Sequence, residues 1–251
     1  NSITSALIGI KAGANRIELC ADLHKGGITP KYSDIEKLRN LTNINLHVLI
    51  LPIANKFIYS KEDLKKIIKD IEFCKSIGID GVVIGAINED RSIDITKTKK
   101  MVDVARPMKV TFHRAFDTCL DLENNLEDII KTGCDYLLTS GQCTDVNEGL
   151  KNIAQLIKIA KNRITILAGG GVNHNNISVK IIMKLSMIYP SPCEFFVKHK
   201  HRCFVINIFS IFLGETNSSK IFLHIPFASS VDMPLSMIVN PSLPSISHKL
   251  I

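Results

Sequence analysis

The chain has 251 residues, 45% of them hydrophobic, and a formal net charge of +7. That length accommodates one barrel-sized domain or two ordinary ones, and no run approaches the roughly 20 apolar residues that a bilayer span requires, so a soluble protein without a membrane partner is expected. The basic residues are interleaved with acidic ones, as from Lys61 to Lys75 among Glu62, Asp63, Asp70 and Glu72, which reads as a solvated face and not as a nucleic-acid patch.

The opening Asn1-Ser2-Ile3-Thr4 lacks the basic start, apolar run and small-residue cleavage site of a secretory leader. The missing initiator Met suggests a fragment. Seven Cys are scattered without close paired spacing, which disfavours a disulfide framework and a closed zinc site and points to reduced thiols in a cytosol.

Up to about His174 the chain alternates short aliphatic runs with longer amphipathic stretches, the pattern of repeated βα units around a parallel sheet. Six strands are expected: Arg16 to Cys20, Leu46 to Ile50, Gly81 to Gly85, Lys109 to His113, Tyr136 to Thr139 and Arg163 to Leu167. Nearly all lack charged interior positions, as doubly covered strands should. Glu18 is the exception and so a candidate site residue.

The clearest helix is expected over Lys61 to Ile77, with Leu64, Ile67, Ile68, Ile71 and Cys74 on one face. Ser60 reads as its N-cap and Gly78 as the residue just past its end. A second helix, Glu148 to Lys161, turns Leu150, Ile153, Ala154, Ile157 and Ile159 toward the sheet, with Asn147 as its cap. From about Asn175 the pattern changes. The tail holds six of the nine Pro and seven of the eleven Phe without clean βα alternation, and no fold is assigned to it, although the apolar segment Cys203 to Leu213 could supply a strand. The chain therefore divides into residues 1–174 and a divergent tail, 175–251.

In a parallel βα barrel the loops after the strands form the site, so polar residues at strand ends carry the most weight. Glu18 and Cys20 close the first strand on one side of it. His113, Arg114 and Asp117 follow the fourth, with His113 and Thr111 sharing a face; an imidazole, a guanidinium and a carboxylate there could bind an anion or a metal. Thr139 and Ser140 end the fifth strand, where hydroxyls could bond a substrate or simply terminate the strand. The glycines Gly169 to Gly171 follow the sixth, as a phosphate-cradling backbone or as a tight turn. Cys74 and Cys134 read as buried apolar residues. Cys20, Cys119 and Cys143 fall at or beyond strand ends, and thiolates together with His113 would suit Cu(I).

The segments RIELCADLHKGGITP, FIYS, GIDGVVIGAINEDRSID, ARPMKVTFHRAFD, LLTSG and AGGGVN occur in an order and spacing that resemble the CutC family. The resemblance covers roughly the first seven-tenths of the chain. It implies a TIM-like (β/α) barrel, usually cytoplasmic and associated with copper handling, with copper binding proposed and no firmly established reaction. Carried over onto this chain are Glu18, Cys20, His113, Arg114, Asp117, Thr139, Ser140 and Gly169, Gly170 and Gly171, with Cys20 and His113 as the metal ligands. The first family strand has no counterpart, Leu51 to Asn55 stand where the family has an Arg and a basic, Gly-rich loop, and nothing after Asn175 matches the last strand. Cys119 and Cys143 lie off the family pattern.

Three expectations follow. The first is a cytoplasmic copper homeostasis protein binding copper ion, most simply Cu(I). The second is a barrel enzyme for a small anionic or phosphorylated substrate, with Glu18 or His113 as general base, Arg114 as anion clamp, Asp117 among the catalytic residues, Thr139 and Ser140 binding substrate and the Gly169 to Gly171 amides holding phosphate. The third is an inactive truncated product with two open sheet edges, unless a homo-oligomer covers them.

Overall fold

The computed structural model describes residues 2–173, 193–199 and 202–207, the last two spans as backbone strands. The chain begins with helix α1 (Ile3–Lys11) and then runs through β1 (Arg16–Leu19), α2 (Tyr32–Leu41), β2 (Asn45–Leu49), α3 (Lys61–Ser76), β3 (Gly81–Ile84), α4 (Ile95–Ala105), β4 (Lys109–Phe112), α5 (Leu122–Thr132), β5 (Tyr136–Thr139), α6 (Leu150–Ala160) and β6 (Thr165–Ala168). Strands β1 to β6 pair in sequence order, all parallel. This is the α/β architecture the alternation demands: each parallel neighbour needs a crossover, and the crossover is a helix.

The outward face of each strand meets the helices. Ile17 and Leu19, Leu46 and Val48, Val82 and Ile84, Val110 and Phe112, Leu137, and Ile166 are buried in one core with Ile35, Leu38, Ile67, Ile71, Met101, Leu126, Ile129 and Ile153 from the helices. The alternate residues of each strand point the other way. Leu138, Leu167 and Tyr136 form a separate small cluster on that inner face. Arg16 on β1 reaches across the inside to β5, donating from Nη2 to the Tyr136 hydroxyl at 3.0 Å, with its guanidinium 4.4 Å from the centre of the Tyr136 ring.

Local chemistry sets the helix ends. The Ser60 hydroxyl accepts from the Asp63 amide at 3.1 Å while the Asp63 carboxylate accepts from the Ser60 amide at 2.9 Å, a reciprocal cap. Gly78 follows with φ of +73°, as expected of a residue just past a helix end. The start of α6 differs from expectation. Asn147 is not its cap; the Asp145 carboxylate takes the amides of Asn147 at 2.8 Å and Glu148 at 3.3 Å, and the helix begins two residues later behind Gly149. A short polar side chain that can bond the amides two residues ahead organises a turn before the helix.

Two tail strands complete the sheet, β7 (Cys193–His199) and β8 (Arg202–Asn207). β7 lies parallel to β6 in the register Ile166↔Cys193. β8 returns antiparallel to β7 and meets β1 at Arg16↔Val205, closing the barrel. The sheet edges expected to stand open are therefore both paired. On the side of β1 away from β2 stands an antiparallel strand, β8. The segment expected to offer a strand, Cys203 to Leu213, supplies most of β8, and the rest of it lies outside the described residues.

Candidate functional site

The sequence TFHRAFD carries the chain off the end of β4. The His113 amide still donates to Ile84 O at 2.8 Å, after which Arg114–Thr118 wind into a 3-10 turn. The His113 side chain caps that turn, its Nδ1 accepting from the Ala115 amide at 3.2 Å. An amide N–H can donate only to a lone pair, so the proton of the neutral ring sits on Nε2. Burial pushes the imidazole down to about 4, which keeps it neutral. Nε2 is buried and has no partner among the described residues. The ring rests on Gly85, where a Cβ would come within 2.7 Å of it, with Phe57 at 5.0 Å between centroids. His113 and Thr111 are both buried, as their shared face requires.

Asp117 ties the loop after β4 to the loop after β5. Its carboxylate accepts from Arg114 Nε at 2.6 Å, from Ser140 Oγ at 2.9 Å, from the Ser140 amide at 3.0 Å, from the Gln142 amide at 3.1 Å and from the Thr139 hydroxyl. With that many donors on two oxygens it is an orienting group, and no lone pair remains for a proton acceptor's work. Arg114 is fixed a second time by Nη2 donating to Ser140 Oγ at 2.8 Å. Its guanidinium lies on Gly170, whose φ is +94° and where a Cβ would stand 2.8 Å from Cζ; only glycine is comfortable with both demands. The structure thus brings Arg114, Asp117, Thr139, Ser140 and Gly170 together at the ends of β4, β5 and β6.

The row of glycine amides is not all available to a ligand. The Gly169 amide donates to Thr139 O at 2.9 Å, continuing the sheet. Gly170 O accepts from the Val146 amide at 2.8 Å, and Gly171 O accepts from Asn173 Nδ2 at 2.9 Å. The loop is first a tight turn, and a phosphate cradle of three successive amides does not form.

At the end of β1, Glu18 is half-buried and Cys20 is buried. Loss of water raises the Glu18 carboxyl to about 7 against the opposing pull of Arg16. Cys20 lies beneath Gly27, whose Cβ would be 4.0 Å from the thiol sulfur and 2.9 Å from Leu49. Three buried thiols, Cys74, Cys119 and Cys134, are poor ligands. Burial pushes Cys119 up to about 12 while its Sγ donates to Ala115 O at 3.6 Å, and burial pushes Cys74 and Cys134 to about 12 as well; such thiols do not ionise near neutrality. Among the described residues, no group of three or more His, Cys, Asp and Glu is placed to hold a metal ion. The test of His113 as a copper ligand gives a poor fit, because its one lone pair is occupied by the Ala115 amide.

Sequence reasoning missed the lower floor of the barrel. His47 is 1% exposed, its ring against Gly81, where a Cβ would come within 2.5 Å. Burial and the charge of Arg16 lower it to about 3. A polar residue inside an otherwise aliphatic strand, on the face shared with Glu18 in the register Glu18↔His47, was the available signal.

The pattern of the CutC family matches residues 1–188. A Bacteroides fragilis protein named as family protein CutC is 44% identical over 178 residues, covering 70% of this chain and 71% of its own length. One from Chromobacterium violaceum is 41% identical over 177 residues, covering 70% and 72%. A crystal structure of the Streptococcus agalactiae CutC, named for copper homeostasis, superposes with a TM-score of 0.63 at 26% identity, over 69% of this chain and 84% of that one.

Proposed function

The chain belongs to the CutC family, and from that we propose that it serves copper homeostasis in the cytoplasm by binding copper ion as cargo, in the cuprous state. What carries the reading is the family match together with the place of Cys20, a thiol at the C-terminal end of β1 on the strand face shared with Glu18. A soft cation prefers sulfur and imidazole donors, and Cys20 is the thiol carried over from the family segments. His113 joins such a set only if its ring first releases the Ala115 amide. Among the described residues no helix is long and apolar enough to cross a membrane.

Copper affinity tests this directly. The reduced full chain is titrated with Cu(I) against a competing chelator, with circular dichroism on the same samples. Saturable uptake is expected, reduced at least tenfold, about 1.4 kcal/mol, by Cys20→Ser with the fold retained. A folded chain that never competes with the chelator sinks the proposal.

A further inference from the structure

We propose that the loop after β1 is a strap that gates Cys20, and that the Asn55 side chain is its latch. The base of the strap is fixed. Ala21 and Ile28 exchange two backbone hydrogen bonds of 2.9 Å, and Thr29 is tied to the chain beyond β2, its amide donating to Leu51 O at 3.0 Å and its hydroxyl accepting from the Leu51 amide at 2.8 Å. Between those ties the chain turns back over the strand end. Leu23–Lys25 wind one 3-10 turn, Gly26 stands exposed and Gly27 is buried against Cys20.

Gly27 is what closes the thiol off on this side. A Cβ there would lie 3.8 Å from Cys20 Cβ and 4.0 Å from its Sγ, and Cys20 is 5% exposed. A metal ion or a reagent must touch the sulfur, so entry from the loop side requires Gly27 to lift.

What holds the strap down is slight. Leu23 packs half-buried against the core, which leaves Lys25, Gly26 and Gly27 as the part that swings. Among the described residues, the one hydrogen bond from residues 22–27 to the rest of the protein is Asn55 Nδ2 donating to Lys25 O at 3.0 Å, in an exposed place. Such a bond contributes modestly, so losing it shifts a local opening without threatening the fold. Both partners of the latch need unusual backbone. Gly26 has φ of +105°, and a Cβ there would stand 2.6 Å from Asn55 Oδ1. Asn55 itself sits at +59°, a region that asparagine tolerates better than most residues. Gly27, at +90°, gives the strap a second glycine beside Gly26 about which to hinge. The purpose of this gate rests on the copper reading, whereas its test needs no copper.

The full reduced chain is labelled with iodoacetamide in native buffer, and each cysteine is followed by peptide mass spectrometry. Cys20 is expected to label well ahead of Cys74, which is 0% exposed on α3, and at a rate that barely changes across low urea, because a local opening exposes little surface. Asn55→Gly keeps the left-handed backbone and removes the latch. It is expected to speed Cys20 about fivefold, the factor that one exposed hydrogen bond supplies, and to leave Cys74 unchanged. The proposal is overturned if Cys20 labels no faster than Cys74 with the same urea dependence, or if Asn55→Gly speeds both thiols alike or neither. Should Asn55→Gly fail to fold, Asn55→Asp, which keeps the shape and loses the donor, takes its place under the same criteria. Cu(I) titration separates the two readings: a strap that opens as described, on a chain that never takes Cu(I), upholds the gate and sinks the copper proposal alone.

Discussion

At 1% exposure, with its Nε2 lacking a partner among the described residues, His47 is stable in the fold only as a neutral ring. Its folded value of about 3 lies below the ordinary 6.5, so between those two values the unfolded chain binds the extra proton. Stability is then complete above pH 6.5 and declines as pH falls toward 3. At pH 5 the loss from this one group is about 2 kcal/mol. His47→Gln is expected to flatten the acid limb of a stability-against-pH curve by about that amount, measured by denaturant unfolding at pH 7 and pH 5; an unchanged limb would place the acid sensitivity elsewhere. Glu18 works in the opposite sense. Its raised carboxyl favours the folded state at low pH, and that advantage is lost as pH climbs from 4.5 to about 7. The identities of the mouth residues were legible, since Arg114, Asp117, Thr139 and Ser140 all follow strand ends and do meet. Their roles were not. Whether Asp117 keeps a lone pair depends on the Gln142 and Ser140 amides, and whether His113 can ligate depends on the amide of Ala115; both are facts of loop geometry that residue types do not encode.

The secondary elements show the same division between local and nonlocal causes. Helix α3 was legible at both ends because its cap is made by near neighbours, Ser60 with Asp63. Ser60→Ala removes one arm of that box and is expected to cost about 1 kcal/mol, read as a lower midpoint in urea with an unchanged slope. The start of α6 escaped because Asp145, five residues before the helix, organises the turn. β7 escaped for another reason, as did the place in the sheet of the strand expected from Cys203 to Leu213. An antiparallel pair in which His199 faces Arg202 needs no crossover helix, so a search for alternating strand and helix passes over it. Gly81→Ala tests the fit of β3 against β2: its new Cβ would press on the His47 ring, with an expected cost of about 1–3 kcal/mol visible in the same urea titration.

For the whole molecule, the six parallel strands leave two edges, and the tail pair covers both. A chain ending at Asn173 is expected to expose the edges of β1 and β6, to self-associate and to lose cooperative unfolding, as light scattering and a thermal scan would show. A sharp transition from a monomer would mean that six strands and their helices suffice. The parallel half was legible as repeated units, whereas the closure was not, because antiparallel pairing with β1 follows no repeat in the chain.

The seam at Arg16↔Val205 also has a meaning in time. Every pairing from β1 through β7 joins strands that follow one another along the chain, and such contacts form early at small entropic cost. The seam joins residue 16 to residue 205 and must wait for nearly everything between them. During synthesis, β1 to β6 leave the ribosome before the strands that seal them, so the nascent barrel passes through an open crescent and shuts only at the end.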